Sequence, residues 1–150
     1  MLKTRMARVS TYLNFNGNTE QAFEFYRSVF GGEFPGGIRR FKDMPASADQ
    51  PTPPADTGNM VIHVELALLG GHMLMGTDAP ESMGFTVNAG NNVHINLEPD
   101  TRAEADRLFN ALAAGGTADM PMQDMFWGAY FGSLTDQFGI HWMVNCTSKE

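Results

Sequence analysis

The chain holds four histidines, and one of them stands two residues from a glutamate. In Val61-Ile62-His63-Val64-Glu65-Leu66, an extended backbone puts His63 and Glu65 on one side, opposite Ile62, Val64 and Leu66. With His94 they make a set of two imidazoles and one carboxylate, able to hold zinc or another divalent ion. A buried glutamate beside a histidine can also move protons. Polar and apolar residues alternate in any half-covered strand, so we read the pair as a hydrogen-bonded polar cluster and keep the metal as the alternative. His72 and His141 follow glycine turns, where we expect solvent exposure. Trp127, Tyr130 and Phe131 read as core aromatics of a long strand, and Cys146 as a small buried hydrophobe. No residue is assigned a catalytic role. Gly31-Gly32 and Gly36-Gly37 lack the lysine of a phosphate loop, and no S-adenosylmethionine motif is visible.

The elements that must position these residues repeat. Val9 to Phe15 alternates as a half-buried strand. Thr19 to Phe30 reads as a helix with Ala22, Phe25, Tyr26, Val29 and Phe30 on its apolar face, Thr19 as N-cap and Gly31-Gly32 as its end. The order returns with Val93, Ile95 and Leu97 alternating against His94, Asn96 and Glu98. Asp100-Thr101 then opens a helix with Ala105, Leu108, Phe109 and Leu112 on one face. Val9 aligns with Val93 and Ala22 with Ala105, so the second copy loses one residue in its strand-to-helix turn. Strands are predicted over 36–41, 60–69 and 72–77 in the first copy, with a two-residue hairpin turn at Gly70-Gly71. In the second copy they are predicted weakly over 118–122 and strongly over 125–134 and 140–146. The reading is an α+β protein, one domain over 1–150. It has a first βαβββ module at 9–77, a linker at 78–92 and a second module at 93–146. A dimeric ferredoxin-like protein is the alternative fold. The proline-rich 42–59 segment reads as a flap or a dimer arm.

Composition narrows the partners. The 150 residues are 43% apolar and 18% charged, enough for a sizeable core and unlike a coiled coil or a disordered chain. Ten Lys and Arg against 17 Asp and Glu give a net charge of −7, which disfavours nucleic acid. Arg39, Arg40 and Lys42 are left as a candidate basic pocket. No apolar run reaches the ~20 residues of a membrane span. The basic stretch Met1 to Arg8 has no apolar run behind it, so we expect no secretion signal and a cytoplasmic protein, in keeping with the lone Cys146.

Two βαβββ modules in tandem resemble the vicinal oxygen chelate superfamily, the group of glyoxalase I, extradiol dioxygenases, fosfomycin-resistance enzymes and bleomycin-binding proteins. The carrying motifs are Phe25-Tyr26 in the first helix and Asp136-Gln137-Phe138-Gly139 before the last strand. Tyr12-Leu13-Asn14-Phe15-Asn16-Gly17-Asn18, Phe126-Trp127 and Thr135 to Met143 are similar to its PhnB-like branch, labelled 3-demethylubiquinone methyltransferase-like. The resemblance implies two four-stranded sheets around a cavity, helices outside, and a homodimer. It also implies four metal ligands, His and Glu, from the first and last strands of each module. His94 occupies one such position. Ser10, Leu74 or Met75, and Met143 replace the others, and they cannot stand in for a histidine and two carboxylates. We therefore expect no metal and no other cofactor.

The expected function is binding of a small-molecule ligand in the inter-sheet cavity through His63, Glu65, His94, Asn96 and Trp127. One alternative is a metal-dependent or acid–base lyase, isomerase or oxygenase of a small oxygenated substrate, with His94 and Glu65 as ligands or as acid and base. The other is a dimeric assembly protein that uses the 42–59 arm.

Overall fold

The computed structural model describes residues 6–45 and 55–150. The chain forms two compact units, the first ending at Val87 and the second beginning at Asn88. In the first, β1 (Thr11–Phe15) leads into α1 (Thr19–Phe30), then β2 (Arg39–Arg40), β3 (Val61–Ala67) and β4 (Met73–Asp78). The second runs β5 (Ile95–Leu97), α2 (Arg102–Ala113), β6 (Thr117–Asp124), β7 (Tyr130–Thr135) and β8 (His141–Cys146). Each unit makes one four-stranded sheet, ordered β1-β4-β3-β2 and β5-β8-β7-β6. The first and last strands of each module pair in parallel, β1 with β4 and β5 with β8, and the remaining pairs are antiparallel. This is the tandem βαβββ architecture; besides a short helical turn at Ala55–Gly58, each sheet has one long helix where the ferredoxin-like alternative needs two.

Each helix lies on one face of its own sheet. In the first unit Ala22, Phe23, Tyr26 and Val29 of α1 are buried with Val64, Leu66 and Leu74. Phe23 belongs to this face and the predicted Phe25 and Phe30 are only half-buried, because the closest approach to the sheet falls at Gly76. A Cβ on Gly76 would overlap the Phe23 ring. Thr19 does not cap the helix. Asn18 holds the cap position, while the Thr19 amide and hydroxyl both donate to Asp78 Oδ1, at 3.0 and 2.6 Å. Asp78 Oδ2 accepts the Val61 amide at 2.8 Å, so one buried carboxylate ties α1 to β3 and β4. In the second unit the predicted face of α2, Ala105, Leu108, Phe109 and Leu112, is buried in full. Thr101 Oγ1 accepts the Glu104 amide at 3.1 Å as its cap.

Several predicted strands change extent. The strand over 36–41 shrinks to Arg39–Arg40. A turn closed by the Gly37 amide on Phe34 O precedes it, and a 3₁₀ turn at Phe41–Asp43 follows. The Gly70-Gly71 hairpin has three loop residues, Leu69 to Gly71, with both glycines at positive φ. The weak 118–122 segment is the longest strand, β6. It tolerates Pro121 because it lies at a sheet edge. The strong 125–134 segment is interrupted instead. Met125 to Ala129 turns, with Gly128 at φ 96° and its amide on Met125 O, so the strand starts only at Tyr130. Of the 42–59 arm, residues 46–54 lie outside the described residues. Its base is closed by Lys42 Nζ on Asn59 Oδ1 at 3.1 Å. Arg39, Arg40 and Lys42 do not pool into a basic pocket, since the Arg40 guanidinium forks onto Glu20 at 2.9 and 3.0 Å. Among the described residues no helix is long and apolar enough to cross a membrane.

Candidate functional site

Because each sheet has its helix on one side only, the period-2 alternation of its strands sends the other half of the side chains to a helix-free face. On the first sheet, Tyr12, Met75 and Glu65 form one register row across β1, β4 and β3. His63 lies two residues along β3 from Glu65. Its Nε2 is 3.1 Å from Glu65 Oε2, and its Nδ1 is 3.1 Å from the Tyr12 hydroxyl. A carboxylate only accepts, so Nε2 carries the proton, Nδ1 is the acceptor, and Tyr12 donates to it. Burial, followed by the charge of Glu65, holds the Tyr12 phenol above its ordinary range, so the hydroxyl keeps its proton. The predicted pair His63 and Glu65 is thus joined by Tyr12, a residue the sequence marks only as one of the polar positions of β1.

On the second sheet, Asn96 stands opposite Met143, and His94, just before β5, has its ring 5.4 Å from that of His141. His141 is half-buried and bonded, not solvent-exposed as its turn position suggests. Its Nε2 donates to Gly90 O at 2.7 Å, and its Nδ1 lies 2.9 Å from Thr135 Oγ1, which in turn donates to Asp119 at 2.7 Å. His72, the matching residue of the first unit, is likewise half-buried and lies 2.8 Å from Thr11 Oγ1. Tyr130 faces α2, and its hydroxyl donates to Asp106 at 2.6 Å. Phe131 is on the helix-free side opposite Asn145. Trp127 is not core: it is 55% exposed on the β6–β7 turn, with its ring edge-on to Phe131 at 6.4 Å.

The helix-free face of the second sheet also carries a group with no partner. Asn145 Oδ1 is buried and accepts no hydrogen bond among the described residues. An orphaned buried acceptor costs about 1–3 kcal/mol, and such groups recur where a bound molecule supplies the donor. Asn145 shares the side of His141 and Met143 on β8, so the three-residue alternation was its only signal in the sequence. The structure gathers His94, Asn96 and Trp127 on the helix-free side of one sheet and His63 with Glu65 on that of the other.

The metal positions implied by the resemblance do not fit a divalent ion. The Ser10 hydroxyl donates to Met75 Sδ at 3.8 Å, which identifies Met75, and not the fully buried Leu74, as the residue beside it. A hydroxyl and two thioethers leave His94 as the single strong donor of the set. His63 and Glu65 are turned toward each other. Among the described residues no group of three or more His, Cys, Asp or Glu could hold a metal ion.

The model of the family described as 3-demethylubiquinone-9 3-methyltransferase matches residues 7–145. The chain belongs to this family. The solved structure of protein PA1353 from Pseudomonas aeruginosa is 38% identical with a TM-score of 0.79, covering 94% of this chain and 98% of that one. A putative 3-demethylubiquinone-9 3-methyltransferase, PhnB protein, from Bacillus cereus is 27% identical with a TM-score of 0.69, over 93% and 99% of the two chains. A glyoxalase/bleomycin resistance protein/dioxygenase family enzyme from Burkholderia phytofirmans shares the fold, at 21% identity and a TM-score of 0.58, over 92% and 98%.

Proposed function

We propose that this PhnB-like protein binds a small organic molecule on its helix-free sheet faces, without a resident metal, and works as a cytoplasmic homodimer. The observation that carries the reading is the unpartnered Asn145 Oδ1, buried on a face that also presents His94, Asn96 and Trp127. Aromatic and apolar side chains with a few placed polar groups are what organic ligands bind to. On the second sheet Trp127, Phe131 and Met143 supply the first kind and Asn145, Asn96 and His94 the second; on the first sheet Met75 stands with His63 and Glu65. The thioethers at the metal positions support ligand contact over ion binding, since methionine packs adaptably against irregular apolar shapes. Methyl transfer, named in the family description, forms no part of the proposal.

Native mass spectrometry of protein purified without chelators tests it. The expected species is a dimer free of divalent ions that retains an organic adduct. His63→Ala and His94→Ala are each expected to lower retention of that adduct. One divalent ion per chain, or unchanged retention in both variants, overturns the reading.

A further inference from the structure

The Tyr12–His63–Glu65 row has a direction, and the direction specifies a kind of ligand. Glu65 takes the Nε2 proton of His63, His63 Nδ1 takes the Tyr12 proton, and Tyr12 Oη is left with its lone pairs turned away from the row. With 47% of its surface exposed, Tyr12 is the outer member, while the side chains of His63 and Glu65 are 30% and 22% exposed. Resting on the reading that this face binds ligand, we propose that the row is a proton relay that takes the proton of an acidic hydroxyl, a phenol or an enol, on the bound molecule.

The step balances. The ligand O–H bond breaks and its proton bonds to Tyr12 Oη, while Tyr12's own proton moves to His63 Nδ1. The ligand becomes an oxyanion that accepts from the Tyr12 hydroxyl. His63 becomes an imidazolium donating to Tyr12 and to Glu65, and nothing is oxidised or reduced. Tyr12 never carries charge, in keeping with the burial and the Glu65 charge that disfavour its phenolate. Glu65 is a positioning residue: it selects the tautomer and then pairs with the imidazolium. Arg39 stands opposite His63 in the pairing of β2 with β3, and its guanidinium lies toward Gly36. Met75, between Tyr12 and Glu65, is neutral. Electron-poor phenols and stabilised enols suit the relay because proton transfer is efficient when donor and acceptor acidities are matched, and theirs lie nearest that of an imidazolium.

The test uses the full chain with 4-nitrophenol as probe, followed by phenolate absorbance and by imidazole nitrogen NMR at fixed pH. In the free protein His63 is expected to carry its proton on Nε2. On adding the probe, phenolate absorbance is expected to rise while His63 becomes protonated on both nitrogens. Tyr12→Phe, which keeps the ring, is expected to lower the bound phenolate fraction about tenfold, the loss of one hydrogen bond to a charge. Glu65→Gln is expected to mix the tautomers of His63 and to lower the bound phenolate fraction. A free-state proton on Nδ1, or a probe that binds as neutral phenol, overturns the relay and leaves the binding face standing. A probe that moves no resonance of Tyr12, His63 or Glu65 overturns the helix-free face of the first sheet as a binding site, and the relay with it.

Discussion

Replacing Asn145 by leucine separates the stability of the second sheet from its proposed use. The two side chains are close in shape, so the change removes a buried polar group without opening a large void. The change removes the carboxamide, whose Oδ1 has no hydrogen-bond partner among the described residues. Leaving such an acceptor unpaired costs about 1–3 kcal/mol, and the neighbour opposite it is the Phe131 ring, against which a methyl packs well. Asn145→Leu is therefore expected to stabilise the ligand-free protein by about 1–2 kcal/mol. With a urea slope of about 2 kcal/mol/M, ordinary for a small protein, the unfolding midpoint should rise by about 0.5–1 M. The same variant should retain less adduct in native mass spectrometry, since the donor on the ligand loses its acceptor. A fall in the midpoint of comparable size would refute the reasoning. It would mean that the carbonyl is satisfied in the free protein and that its burial is structural.

Two further predictions follow from buried or bonded groups elsewhere. Asp78→Asn turns one acceptor oxygen into a donor against either the Val61 amide or the Thr19 donors, and is expected to destabilise the protein by about 3 kcal/mol. An unchanged urea midpoint would remove Asp78 from its role in seating α1 on the sheet. Tyr130 is held above the ordinary tyrosine range chiefly by donating to Asp106, then by burial and by the Asp106 charge. Its folded value exceeds its unfolded one, so its contribution is complete below about 10 and is lost as pH rises through the folded value. Ultraviolet titration should show both Tyr12 and Tyr130 ionising late, and Tyr130→Phe should remove one of those steps with its share of the alkaline loss of stability.

Much of the fold was legible because it depends on periodicity. The alternation around Val93 to Leu97, the α2 face and the βαβββ repeat all come from local backbone geometry, where residue spacing decides which side chains share a side. The extents of strands were less legible. Gly128 breaks a continuous apolar run, and Pro121 is compatible with a strand only at an edge, a fact settled by the order of strands and not by the residues themselves. The site divides in the same way. That His63 and Glu65 share a side follows from an i, i+2 spacing, and the loss of metal-type donors at Ser10 and Met143 is visible in residue identity alone. Which groups they meet is not. Tyr12 reaches His63 across 51 positions of sequence, His94 meets His141 through the parallel pairing of β5 with β8, and Asn145 stands opposite the apolar Phe131. Sequence sets the side of a strand on which a group stands. Sheet register, a tertiary property fixed by packing of the helices on the opposite side, decides its partner and so its proton, its charge and its use.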